Sequence, residues 1–225
     1  MRIAIVIPAL NEALSIKKTL TSLQPWRQKG HQIILVDGGS NDATVRNAEN
    51  LVDQILQSSQ GRALQMNMGA EHADADILLF LHADTVLKEG SDNLIIESLS
   101  AGRPWGRFNV SFTSDKLIFK IIAFFINLRS CITSIATGDQ AIFVEKQLFD
   151  QVGRFPPQPL MEDIQLSIML KRRCRANCLN ETVITSSRRW EQQGVYKTIL
   201  QMWVLRLAYF LGVSSERLKR WYRHN

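Results

Sequence analysis

Short, largely apolar runs at residues 3–7, 32–36, 54–56 and 76–81 are each followed by a stretch long enough for one helix. Strand-length apolar segments alternating with helical ones leave few choices: the strands pair mainly in parallel and the crossover helices cover both faces of the sheet. The first run is apolar throughout, as a strand buried on both faces must be, and Pro8 closes it. Asn11 is placed to cap a helix reaching to about residue 23, with Leu14, Leu20 and Leu23 as its apolar stripe. Further helices are predicted from about residue 42, over 61–72 and over 89–99.

After Gly102 the rhythm changes. Residues 106–112 alternate as an antiparallel or edge strand would, 116–128 form an apolar helix and 141–144 a short strand. A proline-rich loop over 153–159 leads to a helix at 162–172, an extended segment at 183–185 and a long amphipathic helix at 196–211. No repeat, low-complexity tract or linker divides the chain. Residues 1–225 are therefore read as one α/β domain, with a nucleotide-binding half to about residue 100 and a modified second half.

At 225 residues and 45% apolar content the chain can bury a sizeable core. Its 27 Lys+Arg against 21 Asp+Glu give +6, and most of the excess falls after Lys171. That balance suits a phosphate-bearing ligand, nucleic acid, an anionic membrane or a solvated basic end. Cys131, Cys174 and Cys178 do not make a disulfide framework, and the Cys174–Cys178 pair lacks two further ligands for zinc. A reducing, cytoplasmic setting follows as the expectation. The apolar runs at 117–125 and 198–213 are too short, or interrupted by Arg206, to span a bilayer, and the first run is too short for a signal sequence.

In open α/β sheets ligands collect at the carboxyl ends of the strands. Here those ends read Pro8-Ala9-Leu10-Asn11-Glu12, Asp37-Gly38-Gly39-Ser40-Asn41-Asp42 and His82-Ala83-Asp84-Thr85. Each has a structural reading as a cap or turn, but three on successive strands point to a site. Neither a P-loop nor a G-x-G-x-x-G turn is present, which weighs against kinase-type and dinucleotide chemistry. Asp84 offers the oxygen chemistry that Mg²⁺ or Mn²⁺ prefers.

The stretch Ile5-Val6-Ile7-Pro8-Ala9-Leu10-Asn11-Glu12, then Val36-Asp37-Gly38-Gly39-Ser40-Asn41-Asp42-Ala43-Thr44, then Leu81-His82-Ala83-Asp84-Thr85 resemble the successive signatures of family 2 glycosyltransferases. The resemblance continues through Gly61-Arg62-Ala63-Leu64-Gln65-Met66-Asn67, Gly138-Asp139-Gln140, Glu162-Asp163 and Arg188-Arg189-Trp190, nearly the whole chain in order. It implies the GT-A fold, a mainly parallel mixed sheet flanked by helices, and inverting transfer from a nucleotide-diphosphate sugar with a divalent ion. The strings around Gly61 and Arg189 further resemble a small bacterial subgroup associated with arsenosugar biosynthesis.

By this resemblance Asp37 reads the donor's base, with a carboxylate able to accept from a uracil ring N–H. Pro8, Asn11 and Glu12 shape the wall around the nucleotide. Arg62, opening a helix, favours a phosphate nearby. The family's D-x-D reads His82-Ala83-Asp84 here, which keeps Asp84 as the metal ligand and leaves His82 either to hydrogen-bond the donor or to pack at a strand end. Asp163 matches the catalytic base, with Glu162 as its neighbour. Gly138, Asp139 and Gln140 lie beside the acceptor. Arg189 binds diphosphate and Trp190 packs near the acceptor sugar. Ser186 stands where processive relatives carry glutamine, so a single transfer is expected, to a small-molecule or lipid-linked acceptor.

The rivals are a nucleotidyltransferase, for which the loop after the first strand is poor in glycine, and a basic module for nucleic acid or lipid headgroups, which leaves Asp37, Asp84 and Asp163 without purpose. Nucleic acid is therefore not an expected partner. The C-terminal helix and the basic, aromatic segment after it are expected to stand apart from the catalytic machinery. They would close the domain's own core, pair two copies, or rest on the inner face of a membrane.

Overall fold

The computed structural model describes residues 1–223; residues 224 and 225 lie outside the described residues, as does the side chain of Arg223, one of the basic residues after Lys171. Four parallel strands come first: β1 (Ile3–Ala9), β2 (Gln32–Asp37), β3 (Gln54–Gln57) and β4 (Ile77–Phe80). Beyond β4 lies β6 (Ile142–Glu145), antiparallel both to β4 and to β5 (Trp105–Phe112), and β5 runs parallel to β7 (Asn177–Thr185). The seven-stranded order is β3-β2-β1-β4-β6-β5-β7, the mainly parallel mixed sheet expected.

Alternate residues of β1 enter opposite core layers. Ile3, Ile5 and Ile7 pack with α1 (Ile16–Ser22) and with Trp26 of α2 (Gln24–Gln28). Ala4 and Val6 pack under α4 (Arg62–Glu71). The fit beneath α4 is close: a Cβ on Gly69 would come within 2.3 Å of Val6 Cγ1. Glycine in mid-helix costs about 1 kcal/mol against alanine, and here it is what lets helix and strand touch. Pro8 lies inside β1 rather than closing it. Pairing with β4 ends at Val6–Phe80, so the missing proline N–H faces past the neighbouring strand and breaks no ladder bond.

Several expectations need correction. Asn11 caps nothing: it has φ +56°, and α1 begins only at Ile16. Its N–H donates to Ser40 Oγ (2.9 Å) and its Oδ1 accepts from the Asn41 N–H (2.9 Å), stitching the β1 and β2 ends together. Leu14 is accordingly exposed instead of part of an apolar stripe. β5 is not an edge strand, and β7 starts six residues early, in a polar stretch whose pairing with β5 carries an irregularity between Arg107 and Asn109. The apolar helix α6 runs on to Thr133 (Leu117–Thr133), which brings Cys131 beside the start of β7. Cys131 and Cys178 are bridged there with Cα atoms 5.8 Å apart, and only Cys174 is free, against the expectation of unpaired thiols.

A smaller cluster ties on the C-terminal part. Ile164 of α8 (Glu162–Lys171) meets Leu205 of α10 (Val195–Phe210) and Leu218 of α11 (Ser215–Arg223), with Ile135 and Met161 alongside. Among the described residues no helix is long and apolar enough to cross a membrane.

Candidate active site

Strand directions bring the site together. The carboxyl ends of β1, β4, β5 and β7 share one edge of the sheet with the start of antiparallel β6, and a cleft of about 510 Å³ opens there. Pro8 and Glu12 enter from the β1 end, Arg62 from the start of α4, and His82 and Asp84 from beyond β4. Gly138 and Asp139 belong to a 3-10 turn (Gly138–Gln140) ahead of β6, Asp163 to the first turn of α8, and Arg189 and Trp190 to α9 (Arg188–Gln193) after β7. These ten expected residues line one cleft.

Three do not. Asp37 is buried at the end of β2, where its carboxylate accepts from the Gly39 N–H (3.1 Å), the Ser40 N–H (3.0 Å) and the Ser40 hydroxyl (2.5 Å). Asn11 sits in the stitch already described. Gln140 is fully buried under its turn, donating to Ser130 Oγ (2.9 Å) and accepting from the Thr137 N–H (3.3 Å), and does not line the cleft.

His82 lines the cleft and has a polar partner there. Its Nδ1 lies 3.1 Å from Asp139 Oδ1, and its ring lies so close on Gly138 that a Cβ there would fall 2.3 Å from Nε2. Burial opposes charge on Asp139, but the hydrogen bond from His82 and the charges of His82, Arg62 and Arg189 prevail and hold its carboxyl below the ordinary range.

Asp163 is fixed by two backbone donors: Oδ2 accepts from the Gly138 N–H (2.9 Å) and Oδ1 from the Ile164 N–H (2.7 Å). Before it, Met161 holds a left-handed φ of +66°, a strain of about 1–3 kcal/mol that sets the angle at which α8 presents its first turn. Glu162 is buried beside it. Burial first, then the neighbouring Asp163 charge, push the Glu162 carboxyl upward.

The C-terminal helices are part of this cleft, contrary to the expectation that they stand apart. Met202, Leu205 and Arg206 of α10 and Lys219 and Tyr222 of α11 line it. The Arg189 guanidinium lies 4.3 Å from the centre of the Tyr222 ring, a cation–π contact that orients it. Arg206 is half-buried, its charge disfavoured by desolvation and supported by Asp163 and Asp139. A sequence signal for it existed: Thr198, Met202, Leu205 and Arg206 fall on one helical face, the inward one.

No group of three or more His, Cys, Asp or Glu that could hold a metal occurs among the described residues. Asp84 lines the cleft together with Glu12, Asp139, Glu162 and Asp163, and the hydrogen bond its carboxylate accepts from Thr85 Oγ1 is long at 3.5 Å. A carboxylate so weakly engaged fits an ion of the Mg²⁺ type, which takes other ligands from substrate phosphates and water.

The model of the family described as Glycosyl transferase family 2 matches residues 4–151, and the chain belongs to that family. It is 26% identical over 102 residues to the poly-beta-1,6-N-acetyl-D-glucosamine synthase of Staphylococcus aureus (strain COL), a match covering 43% of this chain and 25% of that protein. The chain thus spans about a quarter of that relative's length. The structure of S. aureus TarS 1–349 in complex with UDP superposes with a TM-score of 0.66 at 15% identity, covering 83% of this chain and 60% of that one. Mycobacterium tuberculosis glucosyl-3-phosphoglycerate synthase in complex with Mg²⁺ and UDP gives 0.62 at 17% identity, covering 80% and 69%. These likenesses show the GT-A fold.

Proposed function

We propose that the protein transfers a sugar from a nucleotide-diphosphate donor to an acceptor hydroxyl, once per acceptor and with inversion at the anomeric carbon. The observation that carries this reading is that Asp84, Arg62, Arg189 and Asp163 line one cleft; on this reading the first three serve the donor and Asp163 the acceptor. Asp163 takes the acceptor proton, and the freed oxygen bonds to the anomeric carbon while the bond to the diphosphate breaks. Arg62 and Arg189 receive the charge that builds on the departing diphosphate. Asp84 would hold a divalent ion, Mg²⁺ or Mn²⁺, which when bound offsets that same charge.

A uridine donor is supported by the fold's likeness to UDP-bound structures. Asp37 then acts through the turn it fixes, shaping the nucleotide wall from behind. Trp190, packed edge-on against Phe112 at 5.6 Å, flanks the acceptor together with Asp139 and Gly138. The division into a donor half and an acceptor half, and the arsenosugar subgroup, are proposals resting on the motifs alone. Calorimetric titration with UDP- and GDP-sugars, nucleoside triphosphates and oligonucleotides, each with and without Mn²⁺, tests the reading. Metal-dependent binding of a diphosphate sugar is the expected result; preference for a triphosphate or an oligonucleotide overturns it.

A further inference from the structure

The basic residues of the last two helices divide by position. On α11, Arg217 and Arg220 are exposed, whereas Ser215, Leu218, Lys219 and Tyr222 are buried or half-buried, at the spacing of one helical side. On α10, Arg206 is half-buried directly after buried Leu205. Leu205 and Leu218 share a cluster with Ile164 of α8, the residue that follows Asp163. Arg206 and Lys219, each next in sequence to one of those leucines, both line the cleft.

A cation drawn partly out of water costs free energy unless an anion or an acceptor replaces the lost hydration. Among the described residues no hydrogen bond or ion pair engages Arg206 or Lys219. Burial disfavours the Arg206 charge, and Asp163, then Asp139, support it from beyond ion-pair reach. Both carboxylates are already engaged, Asp163 by the Gly138 and Ile164 N–H groups and Asp139 by His82. The guanidinium therefore lines the cleft with its donors unmet.

The arginines of this region fall into two groups. The Arg189 charge is disfavoured by burial and then by Arg62, so those two stand together. Arg206 is set instead against Arg129 of α6, whose charge burial and then Arg206 disfavour, and Asp163 supports both. Arg206 thus belongs with Asp163. Lys219 reaches the cleft from the face of α11 that also carries Tyr222.

We propose that Arg206 and Lys219 form a subsite for a phosphate group, separate from the pair Arg62 and Arg189. A guanidinium fork meets phosphate oxygens two at a time, and an ammonium adds a compact charge. A dianion answers both cations, where a carboxylate would leave one unmatched. On the glycosyl-transfer reading, and only on it, the acceptor hydroxyl brought to Asp163 is then carried by a phosphate-bearing molecule.

Calorimetric titration with inorganic phosphate tests the subsite, on the protein alone and on the protein loaded with UDP and Mg²⁺. Expected is phosphate binding that persists beside UDP and weakens about tenfold in Arg206→Gln and in Lys219→Gln. Arg206→Lys should fall between, since it keeps the charge and loses the fork. Circular dichroism with thermal melting checks folding, and Lys219→Gln carries the test if Arg206→Gln does not fold. Glucose 6-phosphate and dihexanoyl phosphatidic acid then compare a soluble with a lipid-borne phosphate. Whichever loses more affinity in Arg206→Gln names the source, and either result keeps the subsite. Wild type that binds no phosphate overturns the proposal. So does phosphate that UDP displaces completely, or binding indifferent to both glutamine variants. Phosphate binding through Arg206 and Lys219 without any UDP binding keeps the subsite and loses the transfer reading; UDP binding without phosphate binding does the reverse.

Discussion

His82 Nδ1 and Asp139 Oδ1, from opposite sides of the sheet's β4–β6 junction, meet at 3.1 Å in the floor of the cleft. The position that the family resemblance matches to the first Asp of D-x-D thus holds the partner of a carboxylate supplied from another segment.

His82→Ala should release Asp139. Its carboxyl, held below the ordinary 3.8 in the native protein, would titrate higher, because burial opposes ionisation and the main hydrogen bond is gone. Carbon-13 NMR of the Asp139 side chain reads this directly. A depressed carboxyl adds stability above the unfolded value that is lost as pH falls through the folded one. The variant should therefore lose less stability than wild type below pH 3.8. An unmoved titration would mean that Arg62 and Arg189, not His82, hold the charge.

Asp163→Asn should keep donor affinity and lose the transfer step, by about 10²–10⁴-fold in rate. The amide oxygen still accepts from a backbone N–H but takes no proton. Single-turnover kinetics beside equilibrium donor binding separate the two; a near-normal rate would move the base to Glu162.

Glu162→Gln should stabilise the fold in a pH-dependent way. A group whose folded value is raised contributes stability that is full below its unfolded value and is lost as pH rises through the folded value. Wild type and variant should melt alike below pH 4.5. The variant's advantage should grow from there to the raised value of Glu162 and then level off. A gap that shrinks with rising pH would contradict the assignment.

Asp84→Ala should abolish the Mn²⁺-dependent part of donor binding, since among the described residues no group of three or more candidate ligands stands ready to hold the ion without it. Titration with and without the ion shows this, and an unchanged metal effect would place the ligand elsewhere.

Arg189→Ala should weaken binding of the diphosphate product and slow transfer, while Arg189→Lys restores only part, because a planar fork stacked on Tyr222 is not replaced by a point charge. Equal product affinity in the lysine variant and wild type would reduce the role to charge alone.

The sheet and most of the cleft were legible because strand cores are apolar runs and their ends are marked by Pro8, Asp37 and His82-Ala83-Asp84. Asp37 misleads as a cleft residue because a carboxylate at a strand end serves a turn as readily as a ligand, and sequence does not tell which way it points. Gln140 misleads similarly: the motif is at the site, but the middle residue of the turn faces in and the last faces the core. The bridge between Cys131 and Cys178 joins residues 47 apart whose meeting depends on where α6 ends. The orientation of α10 was hidden for a different reason. Apolar periodicity marks a face without saying what covers it, so the stripe with Trp203 and Leu207 left core, second copy and membrane open, and Arg206 read as an interruption.

Gly69 and Arg62 sit on the same rigid helix, one at its tightest contact with the sheet and the other at its open mouth. Gly69 therefore works as a shim of zero thickness. Any side chain there would wedge the helix off Val6 and swing its leading end, so the place of Arg62 in the cleft is set from a position buried against the sheet.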